Sequence, residues 1–158
     1  MNPVPHFRPY RTGDQPACLA LFDANCPAYF DPGERPGYVQ FLADVPEGYE
    51  VCLHEHRIVG AYGVRPHAPD EVIIRWILIA PDVQGIGVGS AMMGRALSVV
   101  RASGARLLHV AASHKSAPFF ARFGARVTAT IQNGWGPDLH RVDMELVPQA
   151  GAAVDAAR

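Results

Sequence analysis

Lysine is almost absent from this chain. Lys115 is the only one, and arginine supplies the rest of the 14 basic side chains. Fifteen acidic residues leave a formal charge of −1, so neither a nucleic acid nor an anionic membrane surface is an expected partner. Cysteine is scarce too. Cys18, Cys26 and Cys52 show neither a metal-ligand spacing nor a disulfide framework, and a reducing, intracellular setting is the expectation. No apolar run approaches the roughly 20 residues of a membrane span. Met1-Asn2-Pro3-Val4-Pro5 lacks the basic start and apolar stretch of a secretory signal. The cytoplasm is expected on these missing signals alone. His54-x-His56 falls in a turn with no third ligand beside it, so no metal is expected there.

What is present is enough for one globular core. Of 158 residues, 49% are hydrophobic and 18% charged, which suits a single domain without staples. That domain is expected over 1–147. The alanine-rich 148–158 shows no packing pattern and is expected to be a flexible tail. The chain shows no internal repeat. Apolar periodicity and turn residues predict strands at Phe7–Tyr10, Tyr49–Leu53, Ile58–Val64, Glu71–Ile79, Arg106–Ala111, Arg126–Gln132 and Leu139–Val147. Helices are predicted from a Thr12 or Asp14 cap to about Asn25, over Glu34–Asp44, over Gly87–Ser103, and through Phe119–Phe123 after a Ser113 or Ser116 cap. Arg65–Asp70 reads as a loop and Asn133–Asp138 as a mobile turn. The result is an α/β (α+β) fold: a mixed, mainly antiparallel seven-stranded sheet flanked by about four helices. Its one parallel junction joins strands 4 and 5 through a crossover helix.

The organising stretch is Ile73 to Val100. An apolar strand, Ile73-Ile74-Arg75-Trp76-Ile77-Leu78-Ile79, is stopped by Pro81, which cannot donate to a sheet. Gln84-Gly85-Ile86-Gly87-Val88-Gly89-Ser90 follows, and then a helix. Three glycines at the positive end of a helix leave backbone amides bare, which makes a cradle for a phosphate or diphosphate. The spacing excludes two common users of such cradles. Ser90 and Met92 stand where a dinucleotide fingerprint needs its third glycine, and no Gly-Lys-Ser/Thr follows as in a P-loop. A diphosphate with a long arm and no tightly held magnesium fits better.

Gln84-Gly85-Ile86-Gly87-Val88-Gly89 resembles the acetyl-CoA motif of the GCN5-related N-acetyltransferases (GNAT). In that motif a Gln or Arg is followed, after two variable residues, by Gly-x-Gly/Ala. Gln84, Gly87 and Gly89 fill it, and the family's order of elements covers about residues 5–147. The resemblance implies acetyl-CoA or CoA as co-substrate, held by Gln84, Gly85, Ile86, Gly87, Val88, Gly89 and Ser90. It also implies a pantetheine arm along Ile77, Leu78 and Ile79. The later segment from Ser113 to Ala125 resembles a second family pattern. Ser113 stands at its asparagine, Phe120 at its tyrosine, Arg122 at its lysine, and Gly124 is retained; Ser113, Phe119 and Phe120 are thereby implied beside the cofactor. In many members that tyrosine protonates the departing thiolate, and Phe120 has no proton to give.

Acyl transfer from a thioester to an amine asks for positioning, proton removal and an oxyanion donor. The catalytic candidates are Glu71, which opens the fourth strand and resembles the position of a family base, and Leu78, whose backbone N–H would face the oxyanion. Asp70 and His109 are weaker candidates. The expected activity is transfer of acetyl from acetyl-CoA to a primary amine of a small molecule or peptide in a ternary complex. Two alternatives are an acyl-CoA-binding sensor that has lost turnover, and an acyltransferase for another acceptor or a longer chain. Tyr29, Phe30, Trp76 and Trp135 would wall the acceptor or chain in the last case. No acidic cluster marks a polyamine site, and no basic patch marks an acidic substrate. A homodimer through the late strands is compatible with the pattern.

Overall fold

The computed structural model describes residues 4–148. The tail expected over 148–158 lies outside them but for Pro148. Among the described residues the strands are β1 (His6–Pro9), β2 (Tyr49–His54), β3 (Arg57–Ala68), β4 (Glu71–Ile79), β5 (Leu107–Ser113), β6 (Arg126–Gly136) and β7 (Leu139–Leu146). The helices are α1 (Gln15–Ala24), α2 (Arg35–Ala43), α3 (Val88–Ser103) and α4 (Ala117–Ala121). One seven-stranded sheet has the order β1-β2-β3-β4-β5-β7-β6, with β4–β5 its parallel pair. The expected α+β architecture is the observed one.

Two strands run past their expected ends. β3 continues through Arg65, Pro66 and His67 to Ala68, where a loop was expected, and only Pro69-Asp70 turn the chain. Proline is tolerated because β2 begins opposite Gly63. Beyond that point β3 has a free edge, and the missing donor of Pro66 deprives no neighbour. β6 likewise runs to Gly136 rather than Gln132. The expected mobile turn over Asn133–Asp138 shrinks to Pro137-Asp138. Asn133 and Asp138 adopt φ of 55° and 62°, and the Asn133 side chain accepts the Asp138 amide at 2.9 Å. Asparagine and aspartate tolerate the left-handed region better than most residues.

The sheet is covered on both faces. Gly60 of β3 faces α3, since a Cβ there would meet Met92; Gly63 faces the Tyr49 ring. Side chains alternate along a strand, so Gly60 and Tyr62 mark the α3 face, and Ala61 and Gly63 the α1/α2 face. On the α3 side Met92, Met93, Ala96 and Val100 are buried. On the other side an aromatic cluster of Phe22, Tyr38, Tyr49 and Trp76 joins α1 and α2 to the sheet, with Tyr38 and Trp76 ring centroids 4.8 Å apart. Such rings bury large apolar areas and dominate a core of this size.

Candidate active site

The site begins as a fault in β4. Gly63 lies opposite Arg75, but Ala61 lies opposite Leu78, so β4 takes three steps where β3 takes two. The extra residue is accommodated at Trp76, whose φ is +48°. That region costs a bulky residue on the order of 1–3 kcal/mol and persists only where the surroundings impose it. They do so here. The Tyr49 hydroxyl donates to the Trp76 carbonyl at 2.6 Å, and the Tyr38 and Tyr49 hydroxyls are 2.8 Å apart. The Trp76 indole stacks on Phe30 at 6.1 Å, 19° between planes.

At the same level β4 and β5 part. Their parallel pairing ends at Ile74–Val110, whereas β5 stays paired to β7 as far as Ser113–Arg141. Arg75 to Ile79 therefore has no strand on its β5 side, and a slot opens between Ile77-Leu78-Ile79 and Ala111-Ala112-Ser113. Buried Asn25, at the end of α1, donates to the Ile79 carbonyl at 3.0 Å and holds this end of β4 in place.

The glycine loop stands at the mouth of the slot. After a turn of 3₁₀ helix at Pro81–Val83, Gln84 is extended and Gly85 and Gly87 take φ of 87° and 90°. A Cβ on either would meet nothing within 4 Å. Close packing is therefore not what excludes a side chain there; the left-handed backbone is. Gly89 differs, since a Cβ there would press on Phe119 at 3.0 Å and Ile79 at 3.3 Å. Gly87 caps α3, whose first-turn amides at Val88, Gly89 and Ser90 have no intrahelical partner. Among the described residues the amides of Gly85, Ile86 and Gly87 have no backbone acceptor either.

Loop and slot open into one cavity of about 900 Å³, ample for a ligand the size of a large cofactor arm plus a small acceptor. Ile77, Leu78, Ile79, Gln84, Gly85, Gly87, Gly89, Ser90, Ser113, Phe119 and Phe120 all line it, so most residues expected at the cofactor are brought together. Ile86 and Val88 do not line it. Ile86 is 46% exposed and Val88 is buried. Leu78 is buried as a side chain and has only backbone to offer. The Ser113 hydroxyl accepts the Lys115 and Ser116 amides at 3.2 and 3.1 Å, which fixes the turn before α4. Arg122 at the end of α4 lies over the Phe119 ring at 5.4 Å. It and Lys115 bring positive charge to the cavity, Arg122 beside the Phe119 ring that borders Gly89.

Glu71 is not part of this assembly. It sits at the opposite end of β4, roughly 25 Å from the loop at a strand's rise per residue, and does not line the cavity. Its two carboxylate oxygens are held at 2.5 Å by His109 Nε2 and by Arg106. These contacts, His109 first, lower its pKa, the wrong direction for a base that must take a proton near neutrality. His109 shares that cluster.

Another carboxylate occupies the cavity. Glu34, just before α2, lines it along with Tyr29, Phe30, Trp76, Arg75, Trp135 and Arg141. Burial raises its pKa, against a lowering bond in which the Asp31 amide donates to it at 2.9 Å. Asp31 in turn packs against Gly136. The β6–β7 hairpin thus closes on the α2 side, with the Trp135 indole donating to the Ala112 carbonyl at 2.9 Å. Glu34 had a sequence signal: Asp31-Pro32-Gly33-Glu34 has capping-box spacing, and both bonds of the box form. Nothing local marked Arg75 or Arg141 as cavity residues. Among the described residues no group of three or more His, Cys, Asp or Glu is placed to hold a metal ion, and no helix is long and apolar enough to cross a membrane.

Comparison with known proteins identifies the family to which this fold and glycine loop belong. A family profile described as "Acetyltransferase (GNAT) family" matches residues 18–125. The chain belongs to that family. No curated protein sequence matches it. Solved structures similar to it include Ard1 from Thermoplasma volcanium (17% identity, 93% of this chain and 99% of that one, TM-score 0.79). Another is the N-acetyltransferase from Staphylococcus aureus Mu50 (18%, 93% and 100%, 0.71). A third, Rv2747 from Mycobacterium tuberculosis (22%, 92% and 99%, 0.70), was solved in complex with CoA and NLQ. At these identities the likeness is one of fold.

Proposed function

We propose that the protein is an acetyl-CoA-dependent N-acetyltransferase acting on a primary amine by direct attack within a ternary complex. The observation that carries this reading is the row of open amides from Gly85 to Ser90 at the mouth of the β4–β5 slot, in one cavity with a desolvated carboxylate. The amides and the start of α3 hold the diphosphate of CoA. The pantetheine arm lies in the slot along Ile77, Leu78 and Ile79, between them and Phe119. A backbone N–H of the bulged stretch, at Ile77 or Leu78, meets the thioester oxygen as it becomes an oxyanion.

The amine enters from the α1/α2 face, between Tyr29, Phe30 and Trp135. Glu34, directly or through one water, takes its proton, replacing Glu71 in that role. The nitrogen forms a bond to the acetyl carbon, the carbon–sulfur bond breaks, and CoA leaves as thiolate. Phe120 cannot protonate it, and solvent does; a thiol with pKa near 8.5 is a good enough leaving group to wait for water.

Incubating the protein with acetyl-CoA and a panel of amines, with free thiol and product mass as readouts, tests this. Thiol release that tracks acetylated amine supports it. Silence across the panel despite CoA binding would favour the sensor reading, whose motive is the buried Phe120 ring in the cavity where a proton donor would serve. A Phe120→Tyr variant that gains turnover without tighter CoA binding would then show that chemistry, and not cofactor capture, is what the site lacks.

A further inference from the structure

The face of the sheet that bears the acceptor side of the cavity carries two guanidiniums which no carboxylate neutralises. Arg75 lies opposite Gly63, and Arg65 opposite Ile73. The register has no shift between these pairs, so the two arginines are diagonal neighbours on adjacent strands, roughly 7–8 Å apart at the backbone. Gly63 faces Tyr49, and Arg65 lies over the Phe41 ring of α2 at 5.9 Å. Both therefore point to the α1/α2 face. Both are exposed, and among the described residues neither forms an ion pair. Like charges at this spacing repel. Nothing in the primary sequence shows the pair, because ten positions and a turn separate its members.

The other charges of the cavity are already accounted for. Arg141 is bonded to Asp143 at 2.7 Å and lies over Trp135. Lys115 and Arg122 flank α4, and Arg122 lies over the Phe119 ring that borders Gly89. That leaves Arg75, which lines the cavity, and Glu34, its one acidic lining residue. The two do not pair with each other. An unpaired cation and an unpaired anion in one pocket complement a ligand that carries both signs.

We propose that Arg75, assisted by Arg65, binds a carboxylate on the acceptor, so that the substrate is a small amino acid-like compound whose amine is presented to Glu34. The amine half rests on the acyl-transfer reading above; the anion site does not. Arg75 meets the carboxylate with its planar fork. Arg65 adds charge from the next strand without lining the cavity. Tyr29, Phe30 and Trp135 wall the remainder of the acceptor.

Binding and turnover test the two halves separately. N-acetylglycine and N-acetylphenylalanine, each against its primary amide, are titrated by calorimetry into the protein in the presence of CoA. At least one acid should bind roughly 10- to 100-fold tighter than its amide, the range of a hydrogen bond to a charged group. Arg75→Gln should close that gap, Arg65→Gln should narrow it, and Arg75→Lys should keep part of it. Thermal unfolding of each variant at the wild-type temperature verifies folding. Amides that bind as well as acids, no binding of either, or a gap that survives Arg75→Gln would overturn the site. In the second arm, acetyl-CoA turnover is measured with phenylalanine and with phenethylamine. Acid-selective binding without turnover of any amine would remove the transferase reading and leave the anion site. Equal turnover of both amines, with no acid preference in binding, would do the reverse.

Discussion

Gly87→Ala separates the two reasons a glycine can be needed. Gly87 has φ +90° and ψ 1°, and a Cβ there would stand in open space. The substitution therefore creates no clash. Its stability cost is that of placing an L side chain in the left-handed region, about 1 kcal/mol. For a domain of this size that lowers Tm by roughly 2–4 °C. Gly104 is an internal control. It ends the same helix with φ 76° and ψ 9°, a Cβ there also meets nothing, and it does not line the cavity. Gly104→Ala should cost about the same stability. The two should differ in ligand affinity. A methyl at position 87 sits where a phosphate oxygen must approach, and losing one hydrogen bond to a charged group costs about 1.5–3 kcal/mol, roughly 10- to 150-fold in Kd. Calorimetric titration of CoA into wild type, Gly87→Ala and Gly104→Ala reads this out directly. If Gly87→Ala binds CoA as Gly104→Ala does, the loop is a folding device and the cradle argument is wrong.

Glu34→Gln should lower kcat by about 10²- to 10⁴-fold, the usual worth of a general base, with CoA affinity within a factor of two or so. In the wild type the rate should fall as pH drops through a value above the ordinary 4.5 of a glutamate, since burial raises this carboxyl and only its ionised form accepts the proton; a rate that is flat with pH, or a fully active Gln variant, counts against the assignment. Tyr49→Phe strands the Trp76 carbonyl and the Tyr38 hydroxyl in a buried place, at about 2–4 kcal/mol for the two. Urea unfolding should show that loss, and kcat should fall by more than CoA affinity as the β4 bulge relaxes. Asp14→Asn should cost about 2 kcal/mol at neutral pH, because buried Asp14 accepts two bonds from Arg8 at 2.8 and 2.9 Å and one from the Arg11 amide. The Arg8 bond is the first cause of its lowered pKa, so this stability is present above the ordinary 3.8 and is lost as pH falls through the folded-state value. The gap between wild type and variant should therefore close in acid; a gap of constant size from pH 7 to pH 3 would refute the assignment.

The glycine loop was legible in the chain because everything it needs lies within the ten consecutive residues from Pro81 to Ser90. A strand stop, three glycines and a helix start act through φ, ψ and unpaired amides, and those are local properties. The seven strands, their order in the chain and the single parallel junction were legible for a similar reason, since periodicity and turn chemistry are read over windows of ten or so residues. What failed at this level failed at edges. Pro66 ended a strand on paper but not in the sheet, because whether a missing donor matters depends on where β2 begins. Asn133 looked like a turn because nothing local shows that Trp135 will reach Ala112.

The other half of the cavity was decided only by tertiary structure. Glu34, Arg75, Trp135 and Arg141 come from four separate elements, and they converge because β7 rather than β6 lies next to β5. Trp76 faces the aromatic cluster beside Arg75 because a bulge, clamped by a tyrosine two strands away, breaks the alternation that would have sent it to the other side. Glu71 illustrates the same dependence in reverse. It opens β4 as its sequence suggests, yet the neighbouring strand delivers His109 and Arg106 to both of its oxygens, far from the loop. Backbone chemistry is encoded within a few residues, whereas the meeting of side chains depends on which strands pair and in what register, and that is decided by the whole core at once.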